Sequence, residues 1–196
     1  MLKRLFDIVF ALPGALLLSP LFLIIAILIK LDSKGAVFYM QERIGKNFKP
    51  FRLFKFRTMA PGSDKKGLLT VGMQDNRITR VGYYLRKYKI DELPQLFNVL
   101  LGDMSLVGPR PEVKKYVDLY TPAQQVVLKV RPGITDLASI KYSNENEILA
   151  KFTNPEQAYL EQVMPDKLKL NIEYIQQQNL LLDFKIILAT VFKIAL

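Results

Sequence analysis

Between Ile8 and Ile29 the chain reads IVFALPGALLLSPLFLIIAILI, 22 residues without one charged side chain. As a straight helix this run is about 33 Å long, enough to cross a hydrocarbon core of about 30 Å. Pro20, preceded by Ser19, interrupts it near its middle, where proline removes a backbone hydrogen bond and bends or breaks a helix. The Ser19 hydroxyl is placed to satisfy a carbonyl freed by that break. Both flanks are basic, with Lys3 and Arg4 before the run and Lys30, Lys34, Arg43, Lys46 and Lys49 after it, and basic flanks favour the cytoplasmic side. Two arrangements satisfy the pattern: a kinked span, or a segment that enters one leaflet, turns at Ser19-Pro20 and returns in arms of about 15 Å. In either, the segment meets lipid. A cleaved signal peptide fits poorly, because the run is long and no small-x-small cleavage site is evident.

The remainder suits one catalytic-sized domain, giving a division into residues 1–33 and 34–196 of the 196. With 50% hydrophobic residues the chain can build a core, and its net charge of +10 predicts attraction to anionic lipid, nucleic acid or phosphorylated substrates. The chain has no cysteine and no histidine. Disulfides, thiol nucleophiles, imidazole bases and ordinary zinc sites are thereby excluded. Catalysis has to use carboxylates, Lys, Arg, Tyr, Ser or Thr, and a metal ion would be a hard, oxygen-bound cation, Mg²⁺ first.

Residues 36–45 and 51–59 read as two short strands joined through Gly45, Asn47 and Pro50. Alternation puts Leu53, Lys55 and Arg57 on one face of the second; its two cations can grip a phosphate or face solvent. Residues 60–79 are rich in Gly and polar side chains and read as a mobile loop of lid length. Helical patterns follow at 79–89, 91–101, 122–129, 144–151 and 155–178. The apolar C-terminal stretch carries Asp183, Lys185 and Lys193, which suits an interfacial or core helix better than a buried span.

The densest chemical signal is YYLRKYKIDELPQLFNVLLGDMSLVGPRP, residues 83–111. Asp91 and Glu92 lie at the head of an apolar helix that stops at Gly102, with Pro94 in its first turn. One account is structural: Asp91 caps the helix and Glu92 complements its dipole. The other is chemical. Arg86, Lys87 and Lys89 precede the pair and favour ionised carboxylates; an ionised aspartate can attack phosphorus and a neighbouring glutamate can hold Mg²⁺. Phosphoryl transfer needs mainly positioning and charge stabilisation. Arg110, fixed between Pro109 and Pro111, is pre-ordered for a two-pronged grip on phosphate, and Arg131 in VRPGIT repeats the logic.

On KFRTM at 55–59, IDELPQLFNVLLGDMSLVGPRP at 90–111 and RPGIT at 131–135, the chain resembles the bacterial sugar transferases called small monotopic phosphoglycosyl transferases, essentially end to end. The resemblance implies an α+β, mostly helical fold with a re-entrant membrane helix-break-helix, a short β-hairpin and interfacial amphipathic helices. It implies an enzyme on the cytoplasmic face of the bacterial inner membrane that moves a sugar 1-phosphate from a UDP-sugar to a polyprenyl phosphate such as undecaprenyl phosphate, releasing UMP. Asp91 would be the nucleophile of a phosphosugar-aspartyl intermediate, Glu92 the Mg²⁺ ligand, and Lys55, Arg86 and Arg110 would surround the phosphates. Nucleic acid is not an implied partner; a homodimer is compatible with it.

One segment departs from the pattern. Many relatives continue after RPGIT with glycine and a GLAQVNGR-like stretch, whereas this chain reads DLASIKYSNENEIL, residues 136–149. Asp136 replaces the glycine, a subgroup difference with a bearing on sugar choice. The rival from another class is a membrane-tethered basic binding protein without catalysis, whose affinity would follow total charge and salt.

Overall fold

The apolar run forms two helices: α1, Leu2–Leu17, and α2, Ser19–Asp32. In the computed structural model, which describes residues 1–63 and 75–195, they meet at a bend of 56°. The break falls at Leu18, and Pro20 sits in the first turn of α2, where its missing N–H costs nothing. Ser19 Oγ donates to Leu16 O at 2.7 Å, satisfying a carbonyl at the end of α1. No single helix among the described residues is long and apolar enough to cross a membrane; the bent pair is, by length and composition.

Each of these helices has one face turned to protein. Asp7, Ala11 and Ala15, spaced one turn apart, are buried on α1, and Phe22, Ile25 and Ile29 on α2. Leu5, Val9, Leu16, Leu23, Ile24 and Leu31 remain exposed, an apolar band larger than a water-exposed surface normally carries.

The predicted hairpin is present: β1, Phe38–Ile44, pairs antiparallel with β2, Pro50–Phe56, in the register Tyr39 opposite Lys55. Asn47 and Phe48 take positive φ in the connection. The predicted loop at 60–79 lies at 64–74 outside the described residues; its ends meet in a bridge between Met59 and Ile78. Helix α3, Arg80–Lys87, follows, capped by Thr79 Oγ1 accepting from Gly82 N at 3.0 Å. Gly82 is required there, since a Cβ would lie 2.1 Å from Thr58 O. A single 3₁₀ turn, Ile90–Glu92, leads into α4, Gln95–Leu101, which ends on Gly102 at φ 97°.

A second sheet was not legible in the sequence. β3, Ser105–Val107, pairs in parallel with β4, Gly133–Thr135, and each strand has three residues. Between and after them come α5, Lys114–Val117, a 3₁₀ stretch Gln124–Lys129, α6, Leu137–Lys141, and α7, Glu145–Leu149. The long pattern at 155–178 forms α8, Pro155–Ala158, a π-helical turn Tyr159–Val163, and α9, Met164–Gln177. α10, Leu180–Ala195, closes the chain. Its charges do not all reach solvent: Asp183 is buried, accepting from Lys3 Nζ at 2.5 Å and Tyr174 Oη at 2.5 Å. On its other side Leu181, Phe184, Leu188 and Phe192 are exposed. The fold is α+β and mostly helical.

Candidate active site

The acidic pair is held in the turn Ile90–Glu92, outside the following helix. Lys89, just before it, is left-handed at φ 56°, a conformation that costs a non-glycine residue about 1–2 kcal/mol. Such strain persists where surrounding packing imposes it, and here Ile90 and Leu93 pack with the Phe22, Phe56 and Leu85 cluster. The capping account of Asp91 is not realised: neither the turn nor α4 has a side-chain cap.

Glu92 is the electrostatic centre. Its Oε1 accepts from Lys55 Nζ at 2.8 Å and from an Arg110 amine; its Oε2 accepts from the other Arg110 amine at 3.0 Å. This is a two-pronged guanidinium–carboxylate pair with a lysine added. Burial alone would raise the Glu92 pKa, but Arg110 and then Lys55 outweigh it and hold the carboxyl well below the usual range. Burial lowers Lys55, opposed by Glu92. For Arg110 the Glu92 charge dominates and raises it.

Asp91 is 8% exposed and accepts no hydrogen bond from any described side chain or backbone group, yet its oxygens are not among the fully enclosed unpaired atoms. Burial pushes its pKa up, countered in order by Lys55, opposed again by Glu92, and then countered by Arg86 and Lys89. The sequence predicts that the basic run keeps both carboxylates ionised; in the structure burial prevails at Asp91 and raises it, whereas at Glu92 the combined pull of Arg110 and Lys55 outweighs burial. Acid groups driven apart in this way can divide roles. Asp91 is thus an unpaired, partly reachable acid beside a neutralised one. Arg86 has no ion-pair partner among the described residues and acts on Asp91 through space.

The structure therefore brings Lys55, Arg86, Asp91, Glu92 and Arg110 together. It places Arg57 and Arg131 elsewhere. Arg57 is buried, and its amines donate to Ser33 O at 2.7 Å, Ser33 Oγ at 2.9 Å and Lys34 O at 2.9 Å. It thus neutralises the carbonyl end of α2, and the phosphate-gripping face expected of β2 reduces to Lys55. Arg131 Nε donates to Gly102 O at 2.8 Å. Ser19 and Pro20 lie at the helix break.

The two Pro-Arg motifs are neighbours through their glycines. A Cβ on Gly133 would lie 2.1 Å from Gly108 N, and one on Gly108 would lie 2.6 Å from Arg131 O. Only this backbone-on-backbone approach lets Gly133 N donate to Pro109 O at 3.0 Å and Gly108 N to Thr135 O at 3.0 Å. Arg43, on β1, donates to Pro111 O at 3.1 Å and to Glu112 Oε2 at 3.2 Å, holding the far side of the arginine loop.

Sequence reasoning missed the supports. Asn98 is fully buried; its amide donates to Arg52 O at 2.7 Å and its carbonyl accepts from Phe54 N at 2.9 Å, so α4 is fastened to the strand that carries Lys55. Asp7 Oδ1 accepts from Ser105 Oγ at 2.8 Å and Leu106 N at 3.0 Å, fastening α1 to β3. The available signal was a polar residue inside each apolar helix, which a buried amide or acid tolerates only when paired.

A family model described as bacterial sugar transferase matches residues 1–196. The chain is 47% identical over 142 residues to the UDP-N-acetylgalactosamine-undecaprenyl-phosphate N-acetylgalactosaminephosphotransferase of Aeromonas hydrophila, covering 71% of this chain and 34% of that protein. It is 38% identical to the UDP-glucose:undecaprenyl-phosphate glucose-1-phosphate transferase of Escherichia coli strain K12, covering 98% and 40% respectively. It is 37% identical to the exopolysaccharide production protein ExoY of Sinorhizobium fredii, covering 96% and 83%. The chain thus spans 34–40% of the length of the first two relatives. With every residue inside the family model and the acidic pair, lysine and arginine gathered at one site, the chain belongs to the bacterial sugar transferase family.

Proposed function

We propose that this protein transfers a sugar 1-phosphate from a UDP-sugar to a polyprenyl phosphate, undecaprenyl phosphate first among them, and releases UMP. The observation that carries the reading is Asp91: nearly buried, without a hydrogen bond, and beside a glutamate already neutralised by Lys55 and Arg110. Relatives whose names specify undecaprenyl phosphate and a UDP-sugar support the substrate class.

In the first step a carboxylate oxygen of Asp91 attacks the phosphorus that bears the sugar. The bond from that phosphorus to the bridging oxygen breaks, and UMP departs with the electron pair. In the second, a phosphate oxygen of the polyprenyl phosphate attacks the same phosphorus, the acyl phosphate bond breaks, and the Asp91 carboxylate is restored. Dividing the exchange this way lets the cationic site hold one incoming phosphate group at a time. Arg110, Lys55 and Arg86 hold and neutralise the phosphate oxygens; Arg110 and Lys55 do so by exchanging part of their grip on Glu92 for a grip on substrate.

No cluster of three or more acid side chains is present among the described residues, and Mg²⁺ is usually held by one or two carboxylates and completed by substrate phosphates. Glu92 would hold it. Bound there, the ion would neutralise charge on the diphosphate. The exposed apolar sides of α1, α2 and α10 support a monotopic, re-entrant seat on the cytoplasmic face of the inner membrane, a location suited to the first membrane step of a bacterial glycan pathway.

The test is UMP release by full-length protein with Mg²⁺, undecaprenyl phosphate and a panel of UDP-sugars, alongside Asp91→Asn. Turnover with a UDP-sugar, abolished in a folded Asp91→Asn protein, is expected, with label from the sugar phosphate retained on wild-type protein when acceptor is withheld. Full turnover by Asp91→Asn refutes the nucleophile.

A further inference from the structure

Arg110 owes its place to two grips, and only one of them is on its guanidinium. Its backbone N–H donates to Asp136 Oδ2 at 3.1 Å, while Asp136 Oδ1 accepts from Ser139 N at 2.6 Å and so caps α6. Asp136 is 0% exposed. Pro109 and Pro111 have no N–H, so the arginine's is the one backbone donor across residues 109–111. A single carboxylate therefore joins the start of α6 to the middle of the arginine loop, 26 residues earlier in the chain.

We propose that Asp136 is a positioning residue for Arg110: it sets the backbone of residues 109–111 so that the guanidinium meets Glu92 squarely with both prongs. This inference rests on the reading of Arg110 as a phosphate-holding group. In this chain both oxygens of the acid are used. Two N–H donors converge on one side chain, and a carboxylate offers an acceptor oxygen to each. An asparagine offers one oxygen and turns its NH₂ toward the second donor; a serine keeps one oxygen, suited to capping, and reaches no further. Either replacement retains the α6 cap and releases the arginine loop. The remaining ties of the loop, Gly133 N to Pro109 O and Arg43 to Pro111 O, hold the residues on either side of Arg110. Residue 110 is then free to rotate its peptide planes and carry the guanidinium off axis.

The experiment compares wild type, Asp136→Asn and Asp136→Ser as full-length proteins by two readouts. The first is hydrogen exchange resolved at single amides over 108–112, where only Gly108, Arg110 and Glu112 carry an N–H. In both variants the Arg110 amide should exchange at least tenfold faster while the Ser139 amide keeps its protection. The second is turnover with the preferred UDP-sugar, where kcat should fall roughly 10- to 100-fold, the scale of a small misplacement, with a smaller rise in KM. Unchanged exchange at Arg110 overturns the proposal, as does faster exchange with wild-type kcat. If wild type itself turns over no UDP-sugar, the functional reading fails on that result alone, and the exchange at Arg110 still decides whether Asp136 holds the loop.

Discussion

Gly133→Ala tests whether the close approach of the two Pro-Arg motifs builds the site. A Cβ there would lie 2.1 Å from Gly108 N, 2.5 Å from Gly108 O and 2.7 Å from Gly108 Cα. All three are backbone atoms, so no side chain can swing aside. Restoring ordinary contact near 3.5 Å requires the two backbones to part by about 1.4 Å at the closest atom. The bonds from Gly133 N to Pro109 O and from Gly108 N to Thr135 O, both 3.0 Å, would then stretch beyond hydrogen-bonding distance. At about 1 kcal/mol each, plus strain left in the loop, the loss is about 2–3 kcal/mol. For a chain of this length that is a fall of roughly 5–10 °C in Tm. The same displacement carries Arg110 away from Glu92, and about 100-fold should be lost from kcat. Thermal unfolding followed by circular dichroism and UMP release on the same preparation measure both. A Gly133→Ala protein with wild-type Tm and turnover would refute the claim that this contact sets the arginine.

Arg57→Lys should cost about 2–3 kcal/mol in denaturant unfolding, because a lysine cannot serve the Ser33 and Lys34 carbonyls together. Its KM for the UDP-sugar should be unchanged, and a raised KM at wild-type stability would restore Arg57 to the phosphate site. If ionised Asp91 is the nucleophile, kcat/KM should rise with pH through a group titrating above the ordinary aspartate value of 3.8, because burial raises it. Lys89→Gly removes a charge that lowers Asp91, so that acid limb should move to higher pH; movement to lower pH would contradict the assignment. The same substitution relieves the φ of 56° and should leave stability level or raise it by up to about 1 kcal/mol. Cysteines placed at Leu2 and Leu31 should label from the same side of the membrane, and labelling from opposite sides would establish a span instead of a re-entrant pair.

The sequence by itself determined the local chemistry. The uncharged run dictates apolar helices and marks Ser19-Pro20 as the candidate break, while the fold decides that Pro13 is carried inside α1 and that the bend falls at Leu18. Alternation and turn residues dictate the hairpin, and Gly102 dictates where α4 stops. The absence of His and Cys leaves carboxylates, Lys, Arg, Tyr, Ser and Thr for chemistry, and Asp91, Glu92 and Arg110 are legible as candidates because each sits beside residues that stiffen or charge it. What only the tertiary structure decided is which cations serve which acid. Lys55, in β2, and Arg57, just past its end, are two positions apart, yet one meets Glu92 and the other the end of α2. Alternation assigns a face but not what packs on it. Nor does periodicity reveal a parallel pair of three-residue strands, because the contact is fixed by two glycines 25 residues apart whose missing side chains admit each other's backbone. Desolvation is likewise a property of the folded whole: the acid pair is equal in sequence and unequal once Arg110 and Lys55 reach one carboxylate and burial reaches the other.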